Sequence, residues 1–82
     1  MTPKRFTWKL TEDSDGDACW TCEREDHGLF VYPYDDDGRV RWNASVKVSV
    51  DYLDLIDSAD TKAEAIQIAR RWSLKRESEV SP

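Results

Sequence analysis

From Val40 to Val50 every even position is apolar (Val40, Trp42, Ala44, Val46, Val48, Val50), and the odd positions are Arg41, Asn43, Ser45, Lys47 and Ser49. A helix would scatter these side chains around its circumference; a strand sets them on one face. The run exceeds the usual strand length and so predicts a bend or bulge. The same alternation predicts a strand over 5–10, with Phe6, Trp8 and Leu10 opposed to Arg5, Thr7 and Lys9. Another covers 18–24, with Ala18, Trp20 and Cys22 opposed to Cys19, Thr21 and Glu23. Residues 28–34 form a strand that is apolar on both faces, Leu29 and Val31 against Phe30, Tyr32 and Tyr34. Pro33 lacks the amide proton of a ladder, which assigns it to an edge or to the strand's end. Residues 52–56 break the parity and read as a short fifth strand or a helical turn.

Between these runs lie turn residues: 12–17 (Glu-Asp-Ser-Asp-Gly-Asp), 25–28 (Glu-Asp-His-Gly) and 35–38 (Asp-Asp-Asp-Gly). Asp-Gly favours the tight turns whose twist matches that of paired strands. At Thr61 the period changes. Thr61 and Glu64 have the spacing of a capping box, in which the threonine hydroxyl accepts from the Glu64 amide. Ala65, Ile66, Ile68, Ala69 and Trp72 then make one apolar stripe at helical spacing. Arg70, Arg71, Lys75 and Arg76 follow where the helix dipole favours cations. The expected fold is α+β: an antiparallel β-meander of four to five strands, then one C-terminal α-helix packed on one face. Residues 1–76 form a single domain in this reading, and 77–82 a flexible polar tail.

A domain of 82 residues buries a modest share of its surface. Its nine aromatic residues, four of them tryptophan, suit a thin core because large rings bury much area each. One helix covers one face only, so the aromatic residues of 28–34 predict a partly exposed face. Such patches mark interfaces, and self-association as a homodimer is the simplest use. No apolar run is long enough to span a bilayer, and the N-terminus lacks an apolar signal core. Two cysteines fit a reducing compartment, so the expected location is the cytoplasm.

Charge sharpens this picture. The net charge is −5, and residues 11–60 hold fourteen of the seventeen acids against four of the twelve bases. That balance runs against broad phosphate-backbone binding. In a meander, alternate turns leave the sheet at the same end. The first turn (Asp13, Asp15, Asp17) and the third (Asp35, Asp36, Asp37) are therefore expected to gather into one acidic tip.

Motifs for chemistry are weak by comparison. Cys19 and Cys22 are three apart, so a flat strand aims them at opposite faces; a zinc site would also have to recruit His27 and a carboxylate. Asp13, Asp15 and Asp17 copy the first ligand spacing of an EF-hand loop, but Ala18 stands where glycine is required and Arg24 where a bidentate glutamate is required. His27 has no serine or cysteine near it in sequence in a nucleophile-like context, so a triad has no support there. Arg5, Lys9, Arg39, Arg41 and Lys47 can share the polar sheet face, a pattern of single-strand nucleic-acid platforms, although a solvated face that balances nearby acids is the favoured reading. No metal, cofactor or catalytic residue is expected.

Two segments carry a resemblance. Trp42-Asn-Ala-Ser-Val46, then Thr61-Lys-Ala-Glu-Ala65-Ile-Gln-Ile-Ala69, resembles a pattern of small phage and prophage proteins, a Trp-x-Ala-x-Val strand followed by a capped helix. The small phage inhibitors of bacterial RNA polymerase are similar in this respect. The resemblance implies a class of non-enzymatic, often acidic proteins that bind and block host machinery, including polymerases, nucleases and CRISPR effector complexes. It carries over no individual residue.

Together these readings predict a non-enzymatic acidic inhibitor or adaptor in the host cytoplasm, with the carboxylates acting as a nucleic-acid mimic toward a protein with a basic surface. Asp13, Asp15, Asp17, Asp35, Asp36, Asp37, Tyr32 and Tyr34 are the expected partner-binding residues. The alternatives are a nucleic-acid-binding β-sheet module using Arg39, Arg41 and Lys47, and a homodimeric structural protein.

Overall fold

The computed structural model describes residues 6–12, 16, 18–49 and 52–80. Its elements are β1 (Lys9–Glu12), β2 (Ala18–Glu23), β3 (Gly28–Asp36), β4 (Arg39–Ser49), β5 (Tyr52–Ala59) and α1 (Lys62–Val80). The strands form one antiparallel sheet in sequence order, and the helix packs on one face of it. The α+β meander expected from alternation is the observed fold.

Register fixes the two faces. Cys22 pairs with Leu29, Leu29 with Val46, and Val31 with Ala44. These residues are buried with Ala59, Ala65 and Ala69, so they form the core under the helix. Small alanines let α1 approach the sheet closely, while Trp20, Trp42, Ile66 and Trp72 close the margins of the core. Phe30, Tyr32 and Tyr34 pair with Ser45, Asn43 and Arg41 on the other face, where they are half-buried.

Several boundaries differ from expectation. The first strand begins at Lys9, not Arg5: Phe6 leaves the sheet edge to pack against the core, with the Arg24 guanidinium 4.1 Å from its ring. Pro33 lies inside β3, opposite Trp42. It is tolerated because β2 pairs with β3 only over Gly28–Val31, so no partner on that side requires its missing proton. β3 also runs on to Asp36, leaving a two-residue turn. Asp37 (φ 53°) and Gly38 (φ 87°) are both left-handed there, as a tight turn matched to strand twist requires. The expected irregularity in the long strand is present as register shifts between Ala44 and Ser45 and between Lys47 and Ser49. The parity break at 52–56 is a full strand, β5.

The capping box forms with a variation. The Glu64 amide donates to Thr61 Oγ1 (3.2 Å), and that hydroxyl donates to the Glu64 carboxylate (3.1 Å). The helix passes the expected boundary at Arg76 and continues to Val80. Glu77 is held by Arg24, which carries helical structure into the segment expected to be tail.

Candidate functional site

The acidic end is built by strand direction. β1 and β3 run toward the same end of the sheet, so the β1–β2 and β3–β4 connections both leave there. Asp13, Asp15 and Asp17 themselves lie outside the described residues. The β3–β4 ladder runs on to Asp36 and Arg39, past Val31 where the pairing of β2 with β3 ends. Asp35, Asp36 and Asp37 are exposed at the end of that ladder. Asp35 Oδ1 accepts the Gly38 amide proton (3.1 Å) and holds the turn. Behind it, Asp60 accepts from Arg39 (3.1 Å) and lies 3.6 Å from Arg41 Nε.

The register separates the expected site residues. Tyr32, Tyr34 and Asp36 share the face away from the helix, in one row on β3, whereas Asp35 pairs with Val40 and lies on the helix side. Tyr32 bonds Ser45 through its hydroxyl (3.1 Å), and Ser58 donates to Asn43 (2.8 Å), so these polar groups on the open face are satisfied within the sheet. Lys47 and Lys9 lie on this same face, level with Gly28 and Thr21.

A third constellation had no counterpart in the sequence reading. His27 is buried in the β2–β3 turn, where its carbonyl accepts the Arg24 amide proton (2.8 Å). Its Nδ1 faces Asp26 Oδ1 and its Nε2 lies 2.7 Å from Ser73 Oγ. Ser73 Oγ lies 3.3 Å from Glu77 Oε2, and Glu77 receives two bonds of 2.8 Å from Arg24. Arg76 closes the circuit onto Asp26 (3.1 Å), and the edge of Trp72 packs on the imidazole. An aspartate, a histidine and a serine are thus in relay order, so the expectation that His27 has no serine partner is corrected by the fold. Ser73 is fully buried on the inner face of α1, which keeps a substrate carbonyl out of reach in this arrangement. The network ties the second half of the helix to the β2–β3 turn. One signal could have revealed it: Ser73 continues the i+4 series of Ala65 and Ala69 on the buried face.

The ionisation of these groups follows their contacts. The hydrogen bond to His27, then the charge of Arg76, hold the Asp26 carboxyl below the ordinary aspartate range. The hydrogen bonds from Arg24 do the same for Glu77, and that contact raises Arg24 in return. Burial pushes the Cys22 thiol up, which disfavours the reactive thiolate. Cys22 sits in the core under the helix, and Cys19 pairs with Thr11 three residues away on the opposite face. Among the described residues no three histidine, cysteine or carboxylate side chains gather in a metal-binding cluster. No described helix is long and apolar enough to cross a membrane. Compared with protein-family models, with curated proteins and with solved structures, the chain matches none.

Proposed function

We propose that this chain is a non-enzymatic protein-binding module that docks its acidic end onto the basic surface of a host nucleic-acid-handling or defence complex in the cytoplasm. The observation that carries this reading is the β3–β4 hairpin with its exposed Asp35, Asp36 and Asp37, at the end of the sheet where β1 also connects to β2. Opposite potentials speed encounter and fix orientation. Where the target surface ordinarily holds nucleic acid, the carboxylates imitate phosphates. Tyr32 and Tyr34, in the row that leads to Asp36, add aromatic contact beside the charge. The class agrees with the phage-like pattern of Trp42–Val46 and Thr61–Ala69.

The test is a pull-down from nuclease-treated bacterial lysate, comparing the native chain with the triple variant Asp35→Asn, Asp36→Asn, Asp37→Asn. The expected result is a stoichiometric host complex that high salt releases and the folded variant does not retain. Equal retention by the variant overturns the acidic-end reading.

A second reading, a nucleic-acid-binding sheet, draws on Phe30, Tyr32 and Tyr34 sharing a face with Lys9 and Lys47. Two of the cations it would use, Arg39 and Arg41, are engaged by Asp60. Tight oligonucleotide binding that falls steeply with salt would favour it over the first.

A further inference from the structure

β5 is the last strand of the sheet, and among the described residues it pairs on one side only, with β4. Its register sorts its side chains sharply. Leu53 and Leu55 lie opposite Lys47 and Ser45, on the face away from the helix, and are 48% and 59% exposed. Asp54 and Asp57 lie opposite Val46 and Ala44, on the helix side, and both are exposed. These acids share a side although three positions apart, because Ile56 is the extra residue at the register shift and packs against the core.

The strand therefore presents leucines on one face and carboxylates on the other, along an edge that no other described strand pairs. Such an edge is a template for another strand. An added strand also alternates, so it would set apolar side chains beside the leucines and its other side chains beside the acids. Charge then selects the occupant. A second copy pairing through β5 would bring Asp54 and Asp57 against the same carboxylates, and like charges across a strand pair are destabilising. A nucleic acid would meet the same acids. Cations on the incoming strand are complementary. The Asp57 carboxylate already accepts the Ser58 amide proton (2.8 Å), so the open stretch is Leu53–Ile56.

We propose that β5 accepts an extended segment of a partner protein in which lysine or arginine alternates with apolar residues, adding a sixth strand to the sheet. The inference rests on the protein-binding reading and names a second contact for the same basic partner. Main-chain hydrogen bonds would supply affinity and the alternation specificity.

The test is an NMR titration of the full chain, labelled with nitrogen-15, using a blocked peptide of alternating lysine and valine as long as β5. Its glutamate–valine counterpart is the control. The expected result is amide shifts and slowed hydrogen exchange over residues 53–56 with the lysine peptide and not with the control. Asp54→Asn with Asp57→Asn should weaken binding about tenfold, and Asp54→Lys with Asp57→Lys should reverse the preference. Shifts confined to Asp35–Gly38 overturn the β5 site while leaving the acidic-end reading in place. No shifts at all also overturn it, and the pull-down with the Asp35–Asp37 variant still judges the earlier reading separately. Shifts at 53–56 that grow with protein concentration in the absence of peptide would assign the edge to a second copy instead.

Discussion

His27 Nε2 lies 2.7 Å from Ser73 Oγ, a contact between residues separated by β3, β4, β5 and the first half of α1. The serine hydroxyl has one proton and two neighbours, so it can donate to His27 or to Glu77 but not to both. With neutral His27 it donates to Nε2. With protonated His27 it accepts from Nε2 and donates to the Glu77 carboxylate. In either state the pair is sealed from water and fixes the helix to the β2–β3 turn.

Ser73→Ala is therefore expected to leave Nε2 buried without its partner and to lower stability by about 1–3 kcal/mol. The check is the urea midpoint with the slope of the transition unchanged. A loss close to zero would mean that the ring finds water and that the clamp is not a source of stability.

Acid should act through the same network. Asp26 and Glu77 have folded values below their ordinary ones, by virtue of His27 and Arg24 respectively. Groups shifted downward contribute stability that is complete above their unfolded values, about 4, and is lost as pH falls through the folded values. The Arg24 side chain is 4% exposed and Glu77 31%, so Glu77→Gln should cost roughly 2 kcal/mol at neutral pH, less than a fully buried pair. Chemical denaturation at pH 7 and at pH 3 checks the sign: the gap between native and variant should narrow at pH 3.

The β3–β4 turn supplies a backbone test. A Cβ at Gly38 meets nothing within 4 Å, so Gly38→Ala is opposed only by its left-handed conformation, φ 87°. It should cost about 1–2 kcal/mol. Asp37→Asn, also left-handed, should be nearly neutral in stability because asparagine tolerates that region, while removing a charge from the acidic end. Thermal melts of the two variants distinguish backbone strain from electrostatics.

At the helix start, Thr61→Ala removes the acceptor of the Glu64 amide. The expected loss is about 1 kcal/mol. It should appear as a lower melting temperature together with faster hydrogen exchange at residues 62–65, and unchanged exchange there would remove the cap as its cause.

The sequence by itself determined the elements whose causes are local. Even-position apolar residues over 40–50 specify a strand, although of the described ones only Trp42, Ala44 and Val46 meet the core while Val40 and Val48 are exposed; Asp37-Gly38 specifies a left-handed turn, and Thr61 with Glu64 specifies a helix start. Turn order also placed the acidic connections at one end of the sheet. The tertiary structure decided what depends on contacts between distant segments. Helical spacing puts Ser73 on the face of Ala65 and Ala69, but that its partner is His27 is decided only when the β2–β3 turn meets the helix, and Glu77 reads as tail until Arg24 binds it. Pro33 is acceptable inside β3 only because β2 stops pairing at Val31, and Asp54 shares a side with Asp57 only because the sheet inserts Ile56 between them. Alternation and capping are set by residues a few positions apart, whose geometry is fixed by the chain itself. Register, burial and partner choice are set by which surfaces meet, and that is decided only when helix and sheet close on the same core.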